Sequence, residues 1–368
     1  MFANAFQNKT IWLSGHTGFK GAWLARWLIK LGARVHGFAQ PPATNPSIFD
    51  QLGLADRLEH EVGDIRDLAA VSRSIERTQP DFVFHLAAQA LVRYSYDHPI
   101  ETYTTNILGT AHVLEALRSL RKPCSAVIVT TDKCYENREL DHAYVEEDHL
   151  GGHDPYSASK GAAEIVIGGH RRSFFSGHSV RIASARAGNV IGGGDWSLDR
   201  IVPDAVRALQ CGQSIPVRNP AATRPWQHVL EPLSGYLWLA AVLARPELAK
   251  ADKKDVTTSF NFGPNKEANR TVEQLVSEIL KHWPGKWDDQ SDPKAVHEAR
   301  LLMLSTAKAT RILQWRPTLN FDISIARTTD WYRKVYEQGN AAVEPLTVAQ
   351  ITEFENTARA AMLAWATH

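Results

Sequence analysis

Cysteine is scarce in this sequence, net charge is close to zero and long hydrophobic runs are missing. The cysteines are odd in number and lack metal-ligand spacing, so we expect free thiols, a reducing compartment and no metal site; they are Cys124, Cys134 and Cys211. The longest apolar run, near Tyr236 to Ala244, is too short to span a bilayer, and the N-terminal residues lack the pattern of a secretion signal. These observations predict a cytoplasmic protein that is neither secreted nor inserted in a membrane.

The balance of charge also excludes whole classes of partner. Lys and Arg number 41 against 40 Asp and Glu, which gives a net charge of +1. Such a chain has no overall field to hold nucleic acid or an anionic membrane surface. Its 368 residues, 44% of them hydrophobic, can build one large core or two linked cores. We predict a globular chain with one large and one small domain.

The first motif is a glycine-rich turn between a predicted strand, Thr10 to Ser14, and a predicted helix that ends at Gly32. The turn reads Gly15-His16-Thr17-Gly18-Phe19-Lys20-Gly21. Glycines there let the backbone approach a pyrophosphate at a helix N-terminus, where unpaired amides favour anions. The spacing G-x-x-G-x-x-G differs from the simple dinucleotide pattern, and a merely tight turn is the alternative. The position after a buried strand favours nucleotide binding by residues 15–20.

The usual ribose-binding residue is missing after the second predicted strand, residues 33–39. Gln40-Pro41-Pro42 follows this strand, where an acid would favour NAD and an arginine would favour NADP. We therefore predict that NAD is preferred only modestly over NADP. After the third strand, roughly 58–62, we expect Asp64 and its neighbour Ile65 at the adenine, whereas Asp67 has the position of a helix N-cap.

Strands and helices continue to alternate as far as residue 190. The fourth strand, 81–85, opens into Leu86-Ala87-Ala88-Gln89, small residues that would let a cofactor lie across the strand tip or, alternatively, allow close packing of strand and helix. A helix near 100–120 precedes a fifth strand, 126–130, and another strand lies near 180–185. The pattern predicts an α/β fold with a doubly wound, Rossmann-like parallel sheet, in which ligands bind at the carboxyl ends of the strands.

Tyr156 and Lys160 lie four residues apart in a predicted helix, so they share one of its faces. A positive charge beside a phenol favours the phenolate, which makes the two a plausible acid/base pair for a sugar or alcohol hydroxyl. The same spacing is typical of a solvated helix face without chemistry. The motifs upstream favour the catalytic interpretation.

After residue 190 the alternation of predicted strands and helices gives way to an irregular pattern. We assign 1–190 to a dinucleotide-binding domain, 191–345 mainly to a substrate domain and 346–368 to a C-terminal helix. Thr271 and Gln274 have capping-box spacing at the start of a helix. The C-terminal helix is predicted to pack through one apolar face, formed by Val348, Ile351, Phe354, Ala358, Ala361, Met362 and Trp365.

Several motifs in this order resemble the extended short-chain dehydrogenase/reductase superfamily. They are the glycine turn, the LAA segment at Leu86, the Y-x-x-x-K pair and the R-x-G-N-V segment at Arg186. Thr131-Asp132-Lys133 resembles the nucleotide-sugar 4,6-dehydratases, which have two ionisable residues after the threonine. The lysine, with the segments GHTGFKG, TDKCY and RPWQHVLEP, is similar to the CDP-glucose-specific members in particular.

The resemblance implies a mechanism that uses a tightly held NAD. Thr131 would hydrogen-bond the sugar 4-hydroxyl, Tyr156 would remove its proton, and Lys160 would hold the nicotinamide ribose and lower the pKa of the tyrosine. Hydride would pass from C4 to NAD, water would be eliminated across C5 and C6 with Asp132 as the acid, and hydride would return to C6. The C5 base stays open between Lys133 and His16, since other members have a carboxylate at residue 133.

The resemblance further implies a nucleotide-sugar substrate and a homodimer. Asn189, Arg200 and Arg224 would surround the nucleotide diphosphate, because arginine binds phosphate through two parallel hydrogen bonds. Trp226 and His228 would join them, or would form a packed corner of the core. The dimer would pair the helix near 100–120 and the Tyr156 helix with their copies.

Three other functions stay open. One is a 4,6-dehydratase that acts on another nucleotide hexose. An epimerase of the same fold would use Thr131, Tyr156 and Lys160 and would not need Asp132 or Lys133. A non-catalytic dinucleotide-binding regulator would keep the glycine turn but would typically lose the Tyr or the Lys, and both are present here.

Overall fold

Seven parallel strands form the central sheet of the protein. The computed structural model describes residues 1–250, 256–292 and 301–368. Within these ranges the strands are β1 Thr10–Ser14, β2 Arg34–Ala39, β3 Glu59–Val62, β4 Phe82–His85, β5 Cys124–Val129, β6 Ala143–Tyr144, β7 Val180–Ala187, β8 Val190–Ile191, β9 Ile215–Val217, β10 Thr223–Pro225, β11 Gln227–His228, β12 Ser259–Phe262, β13 Asn269–Thr271, β14 Trp287–Asp289 and β15 Met303–Leu304.

The sheet has the strand order β12-β7-β5-β4-β1-β2-β3, and each of its pairings is parallel. The chain progresses outward in one direction from β1 to β3 and in the other from β4 to β12. This reversal opens a crevice at the carboxyl ends of β1 and β4, where ligands bind in such sheets. The predicted doubly wound parallel sheet is confirmed.

Helices cover both faces of the sheet. They are α1 Phe19–Lys30, α2 Ile48–Gln51, α3 Leu68–Thr78, α4 Val92–Asp97, α5 Pro99–Tyr103, α6 Gly109–Arg118, α7 Pro155–Phe174, α8 Ile201–Gln210, α9 Leu230–Ala244, α10 Val272–His282, α11 Phe321–Gln338, α12 Val343–Ala360 and α13 Ala364–Thr367. A π-helical turn, Thr104–Leu108, joins α5 to α6, so the helix predicted near 100–120 is present with one irregular turn.

Each face of the sheet has its own hydrophobic core. On one face, residues of α3, α6 and α7 such as Ile75, Leu117 and Ile167 pack together with sheet residues. On the other face, Trp27 of α1 and Leu237 of α9 belong to a larger core that extends to α12. Because successive strand residues point to opposite faces, strands buried on both faces read as continuous apolar runs.

Local signals explain where several helices begin. The Asp67 side chain accepts a hydrogen bond from the Ala70 amide, which makes it the N-cap of α3, as predicted. Thr271 and Gln274 form the predicted reciprocal capping box at α10. The apolar run near Tyr236 lies inside α9, a helix buried along nearly its whole length. Across the described ranges, none of the helices combines the length and the hydropathy that crossing a bilayer requires.

The C-terminal region differs from the single helix that we predicted for 346–368. Helix α12 begins earlier and ends at Ala360, Met362 adopts a left-handed conformation with φ of 51°, and the short α13 follows. Ala361 and Met362 are exposed. The turn lets Trp365 fold back against Phe354, with ring centroids 5.5 Å apart. The reversal buries the Trp365 ring completely, stacked on Phe2 as well as Phe354.

The segment predicted to form the substrate domain also contributes to the central sheet. Strand β12 pairs with β7, and α9 packs beneath β5. The boundary at residue 190 stays a prediction. The small antiparallel pair β10–β13 and the parallel pairs β9–β14 and β8–β11 lie after that boundary or reach across it.

A glycine at the β1–α1 junction provides a test of this packing. A Cβ at Gly21 would come within 2.0 Å of the Gly15 carbonyl oxygen, whereas a Cβ at Gly18 would lie 3.5 Å from the same oxygen. We expect Gly21→Ala to lower the free energy of unfolding by about 1–3 kcal/mol through overpacking, and Gly18→Ala to leave it nearly unchanged. Urea denaturation of both variants measures this, and equal effects would contradict the prediction.

Candidate active site

A cleft of about 1890 Å³ runs along the carboxyl ends of the central strands. Most of the site residues predicted from the sequence line it. They are Gly15, Thr17, Gly18, Phe19, Lys20, Asp64, Ile65, Leu86, Ala87, Ala88, Gln89, Thr131, Asp132, Lys133, Tyr156, Lys160, Asn189, Arg200, Arg224 and Trp226.

The glycine turn has the shape that a dinucleotide pyrophosphate requires. Gly15 has φ of 74°, and a Cβ there would lie 2.7 Å from the Ala87 amide nitrogen, so the turns after β1 and β4 approach each other closely. Gly18 precedes α1 and supplies no side chain to cap its amides. The helix N-terminus therefore presents its N–H groups at the cleft, where they can bind an anion.

His16 does not belong to the cleft, although the sequence suggested it for cofactor binding and as a possible base. Its side chain is fully buried, and its Nε2 lies 2.7 Å from Nδ1 of His60. Burial and the neighbouring His60 lower the pKa of His16 to about 3. The His16 ring lies over Gly37 of β2 and links the end of β1 to β3, so its side chain is directed away from the cleft.

Thr131, Asp132 and Tyr156 meet at the end of β5. The Thr131 hydroxyl donates to Asp132 Oδ1 at 2.9 Å, and Thr131 also acts on Tyr156, whose pKa it lowers against the effect of burial. Asp132 Oδ2 is buried without a hydrogen-bond partner among the described residues. A Cβ at Gly188 would lie 2.4 Å from this oxygen, so the glycine of the R-x-G-N-V segment leaves room for the carboxyl group.

Burial sets the proton affinities of these groups. It raises the pKa of Asp132, against the opposing effects of Lys133, the Thr131 hydrogen bond and Arg224. It also raises the pKa of Tyr156 to about 12 and lowers that of Lys160 to about 8. Asp132 is thus shifted toward the protonated form that an acid catalyst needs.

The pKa of Tyr156 therefore differs from what we expected from the sequence. We expected Lys160 to lower its pKa, but desolvation dominates and the cation that acts on Tyr156 in the opposite direction is Arg200. Lys160 instead interacts with Glu164, one turn further along α7, which raises the pKa of the lysine against the effect of burial. The i,i+4 spacing of Lys160 and Glu164 could have revealed this pair.

Lys20 lies close to the predicted catalytic residues, whereas the sequence indicated only a role in cofactor binding. Its Nζ lies 3.2 Å from the Tyr236 hydroxyl, and burial together with Lys160 and Arg200 lowers its pKa to about 7. Asp132 has the opposite effect on the Lys20 pKa. The glycine-turn lysine thus lies among the groups at the end of β5.

Of the substrate residues predicted from the sequence, all but His228 line the cleft. Arg224 is buried and acts on Asp132, while Arg200 forms an ion pair with Asp195 at 3.0 Å at the start of α8. Trp226 lines the cleft and donates its indole N–H to the Arg270 carbonyl. His228 is fully buried outside the cleft lining, and burial lowers its pKa to about 3. For His228 the packed-core alternative is therefore the correct one.

Asn106 is a buried residue that supports the site and that sequence reasoning missed. Its side chain accepts from the Gln89 amide at 2.9 Å and donates to the Gln89 carbonyl at 3.0 Å and to the Ser159 hydroxyl at 2.8 Å. It thereby fixes the loop after β4 to α7. Nothing in the sequence spacing links residues so far apart.

These features together define a class of protein. A doubly wound sheet, a glycine turn after β1 and a Tyr/Lys pair at the carboxyl edge are those of an extended short-chain dehydrogenase/reductase. A family model described as GDP-mannose 4,6 dehydratase matches residues 13–328. The chain belongs to this family.

Individual relatives agree with this assignment. A CDP-glucose 4,6-dehydratase of Salmonella typhimurium is 44% identical over 339 residues, which cover 90% of this chain and 92% of the relative. Among solved structures, the dTDP-glucose 4,6-dehydratase of Streptomyces venezuelae with NAD and TYD bound has a TM-score of 0.75 at 24% identity, covering 92% of this chain and 99% of that one. A UDP-glucose 4-epimerase of Thermotoga maritima has the same TM-score at 20% identity, covering 89% and 99%. These structures share the fold.

The role of Tyr156 can be tested by removing its hydroxyl. Tyr156→Phe keeps the ring but removes the proton acceptor, so turnover of the nucleotide sugar should fall by about 10²–10⁴-fold while binding persists. Steady-state kinetics and calorimetry measure the two effects, and Tyr336→Phe, which lies outside the cleft lining, is the control. Turnover near that of the wild type would remove Tyr156 from the chemistry.

Proposed function

We propose that the protein is a lyase that converts CDP-glucose to CDP-4-dehydro-6-deoxyglucose and water, with NAD as a cofactor that is restored in each turnover. The CDP-glucose 4,6-dehydratase of Salmonella typhimurium, which is 44% identical over nearly its whole length, supports CDP-glucose as the substrate. The glycine turn, the open amides of α1 and the close approach of Gly15 to Ala87 fit a dinucleotide.

The buried Asp132 carries this proposal. A dehydratase needs an acid for the departing 6-hydroxyl, and an epimerase does not. The raised pKa and the unpartnered Oδ2 of Asp132 suit that acid, and it lies one hydrogen bond from Thr131 at the end of β5.

The residues of the chain divide the chemistry among them. Tyr156 removes the proton of the 4-hydroxyl in its phenolate form, which Thr131 and Arg200 favour against the effect of burial, and Thr131 orients that hydroxyl. NAD, when bound, would accept hydride from C4 and, once water has left, return it to C6, and C5 then takes back a proton to complete the product. The ketone at C4 makes the C5 proton acidic, because the resulting carbanion is delocalised into the carbonyl. Asp132 then protonates the 6-hydroxyl as it leaves.

Lys133 is the residue that we assign as the C5 base. Of the two candidates from the sequence, His16 is buried away from the cleft, whereas Lys133 lines it beside Asp132. A lysine base has to be neutral at the moment of proton removal, which burial and neighbouring cations favour. Arg200 and Arg224, which also line the cleft, supply charge for the nucleotide diphosphate.

Product analysis separates this function from the alternatives. Incubation with CDP-, dTDP-, GDP- and UDP-hexoses, followed by mass spectrometry, should show loss of one water from CDP-glucose. An epimerase would give a product of unchanged mass, and a non-catalytic regulator would give no product. Either result would contradict the proposal.

The acid role of Asp132 predicts a specific block. Asp132→Asn keeps size and polarity but cannot supply the proton, so elimination should slow far more than oxidation at C4. With substrate deuterated at C4, the wild type should deliver deuterium to C6 of the product, while the variant should show a lasting rise in reduced-nicotinamide absorbance. A proportional slowing of both half-reactions would instead mean that Asp132 only orients the loop.

We also propose that the active form is a cytoplasmic homodimer. Ile100 of α5, Leu108 of the π-helical turn and Ile165 of α7 are 71%, 50% and 62% exposed. They lie on helices that pack against each other, and a grouping of exposed apolar side chains is typical of an interface. A second copy of the chain, pairing α5–α6 and α7 with their copies, would cover them.

Charge placed on this face should dissociate the dimer. Ile165→Asp would bury an unpaired carboxylate in the interface, so we expect a shift toward monomer in light scattering at micromolar concentration. Met362→Asp alters another exposed apolar residue, 79% exposed and outside these helices, and should stay dimeric. An active wild-type monomer would disprove the assembly.

A further inference from the structure

The fold brings a basic side chain to the ribose end of the cleft. Gln40 follows β2 directly, where a ribose-binding acid is usual. Because β2 and β3 are neighbours, with Ala39 opposite Val62, the segment after β3 lies beside Gln40. Asp64 and Arg66 in this segment line the cleft together with Gln40.

Gln40, Asp64 and Arg66 form one hydrogen-bonded group, which we call the ribose-end triad. Gln40 Nε2 donates to Asp64 Oδ2 at 2.8 Å. Arg66 donates through Nε to Oδ1 at 3.0 Å and through Nη2 to Oδ2 at 2.6 Å. The guanidinium therefore neutralises the carboxylate that would otherwise repel an anion.

Arg66 keeps donors that Asp64 does not use. Its Nη1 lies 3.8 Å from Glu101, beyond hydrogen-bond distance, and Glu101 accepts a hydrogen bond from the Tyr94 hydroxyl at 2.8 Å. Within the described residues, Nη1 thus makes no hydrogen bond. The side chain is 38% exposed, so a ligand in the cleft can reach it.

The carboxylate of the triad is neutralised within it. Arg66 pairs with Asp64 at 2.6 Å, and the cleft lining carries Arg93 as well as Glu101. A site selective for NAD instead has an acid at the ribose, which accepts hydrogen bonds from the hydroxyls and repels a phosphate. This site lacks that repulsion, and a guanidinium suits a phosphate through its planar set of donors.

We propose that Arg66 determines the dinucleotide specificity of this site by accepting the 2′-phosphate of NADP. The site then takes NADP as well as NAD. This inference rests on the proposed function, because it assumes a dinucleotide in the cleft. It assigns to a residue after β3 a role that normally belongs to the residue after β2.

The inference is tested with two ligands that carry only the adenosine half, ADP-ribose and 2′-phospho-ADP-ribose. Calorimetry on the wild type should give affinities within about tenfold of each other. Arg66→Gln should weaken 2′-phospho-ADP-ribose by about tenfold or more and ADP-ribose by less than about threefold, as expected for loss of a charged phosphate contact. Arg66→Lys keeps the charge, so its affinity for 2′-phospho-ADP-ribose should lie between those of the wild type and of Arg66→Gln.

Arg73→Gln is the matched control. Arg73 is exposed on α3 outside the cleft lining, so this variant makes the same charge change and should leave both affinities unaltered. Equal weakening of both ligands by Arg66→Gln, or no weakening of the phosphorylated one, would overturn this inference alone. If the wild type binds ADP-ribose but not 2′-phospho-ADP-ribose, this inference alone is overturned, and if it binds neither ligand, the proposed cofactor and this inference are overturned together.

Discussion

The active-site geometry depends on a buried ion pair between Glu164 and Arg186. Glu164 Oε2 lies 2.8 Å from Arg186 Nη2, and both side chains are 3% exposed. The same carboxylate accepts hydrogen bonds from Thr130 and Ser184. One side chain of α7 is thereby tied to the ends of both β5 and β7. Breaking such a pair by removing one partner leaves an uncompensated buried charge and typically costs about 3–5 kcal/mol.

This attachment explains why the groups at the end of β5 meet the catalytic helix. Thr130 precedes Thr131 and Asp132, while Tyr156 and Lys160 occupy the same side of α7 as Glu164, spaced four residues apart. Because Thr131 follows Thr130 and Tyr156 lies on the same helix as Glu164, the bond between Glu164 and Thr130 also fixes the distance between Thr131 and Tyr156. A site that depends on such positions benefits from support on a strand and a helix, both of which are rigid.

Burial gives the site its chemical character. Desolvation raises the pKa of Asp132 and Tyr156 and lowers that of Lys20 and Lys160. Neutral forms of acids and bases are therefore favoured together, in a cleft that is also lined by Arg200 and Arg224. A dehydratase needs this combination, since it has to hold anionic phosphates and also move protons through groups that are close to neutrality.

The sequence by itself determined the sheet and most of the cleft. Alternating strands and helices, the glycine turn and the Y-x-x-x-K pair are local patterns, and β1 occupies the predicted residues Thr10–Ser14. The tertiary structure alone decided the position of His16. The turn motif suggested a place at the cofactor, but the order β1-β2-β3 in the sheet buries its side chain against His60. It also linked Arg66 to Gln40 through Asp64, because residues from two neighbouring strands meet only when the sheet has formed. Side-chain direction and contacts between distant segments depend on packing, and local spacing along a single chain does not carry that information.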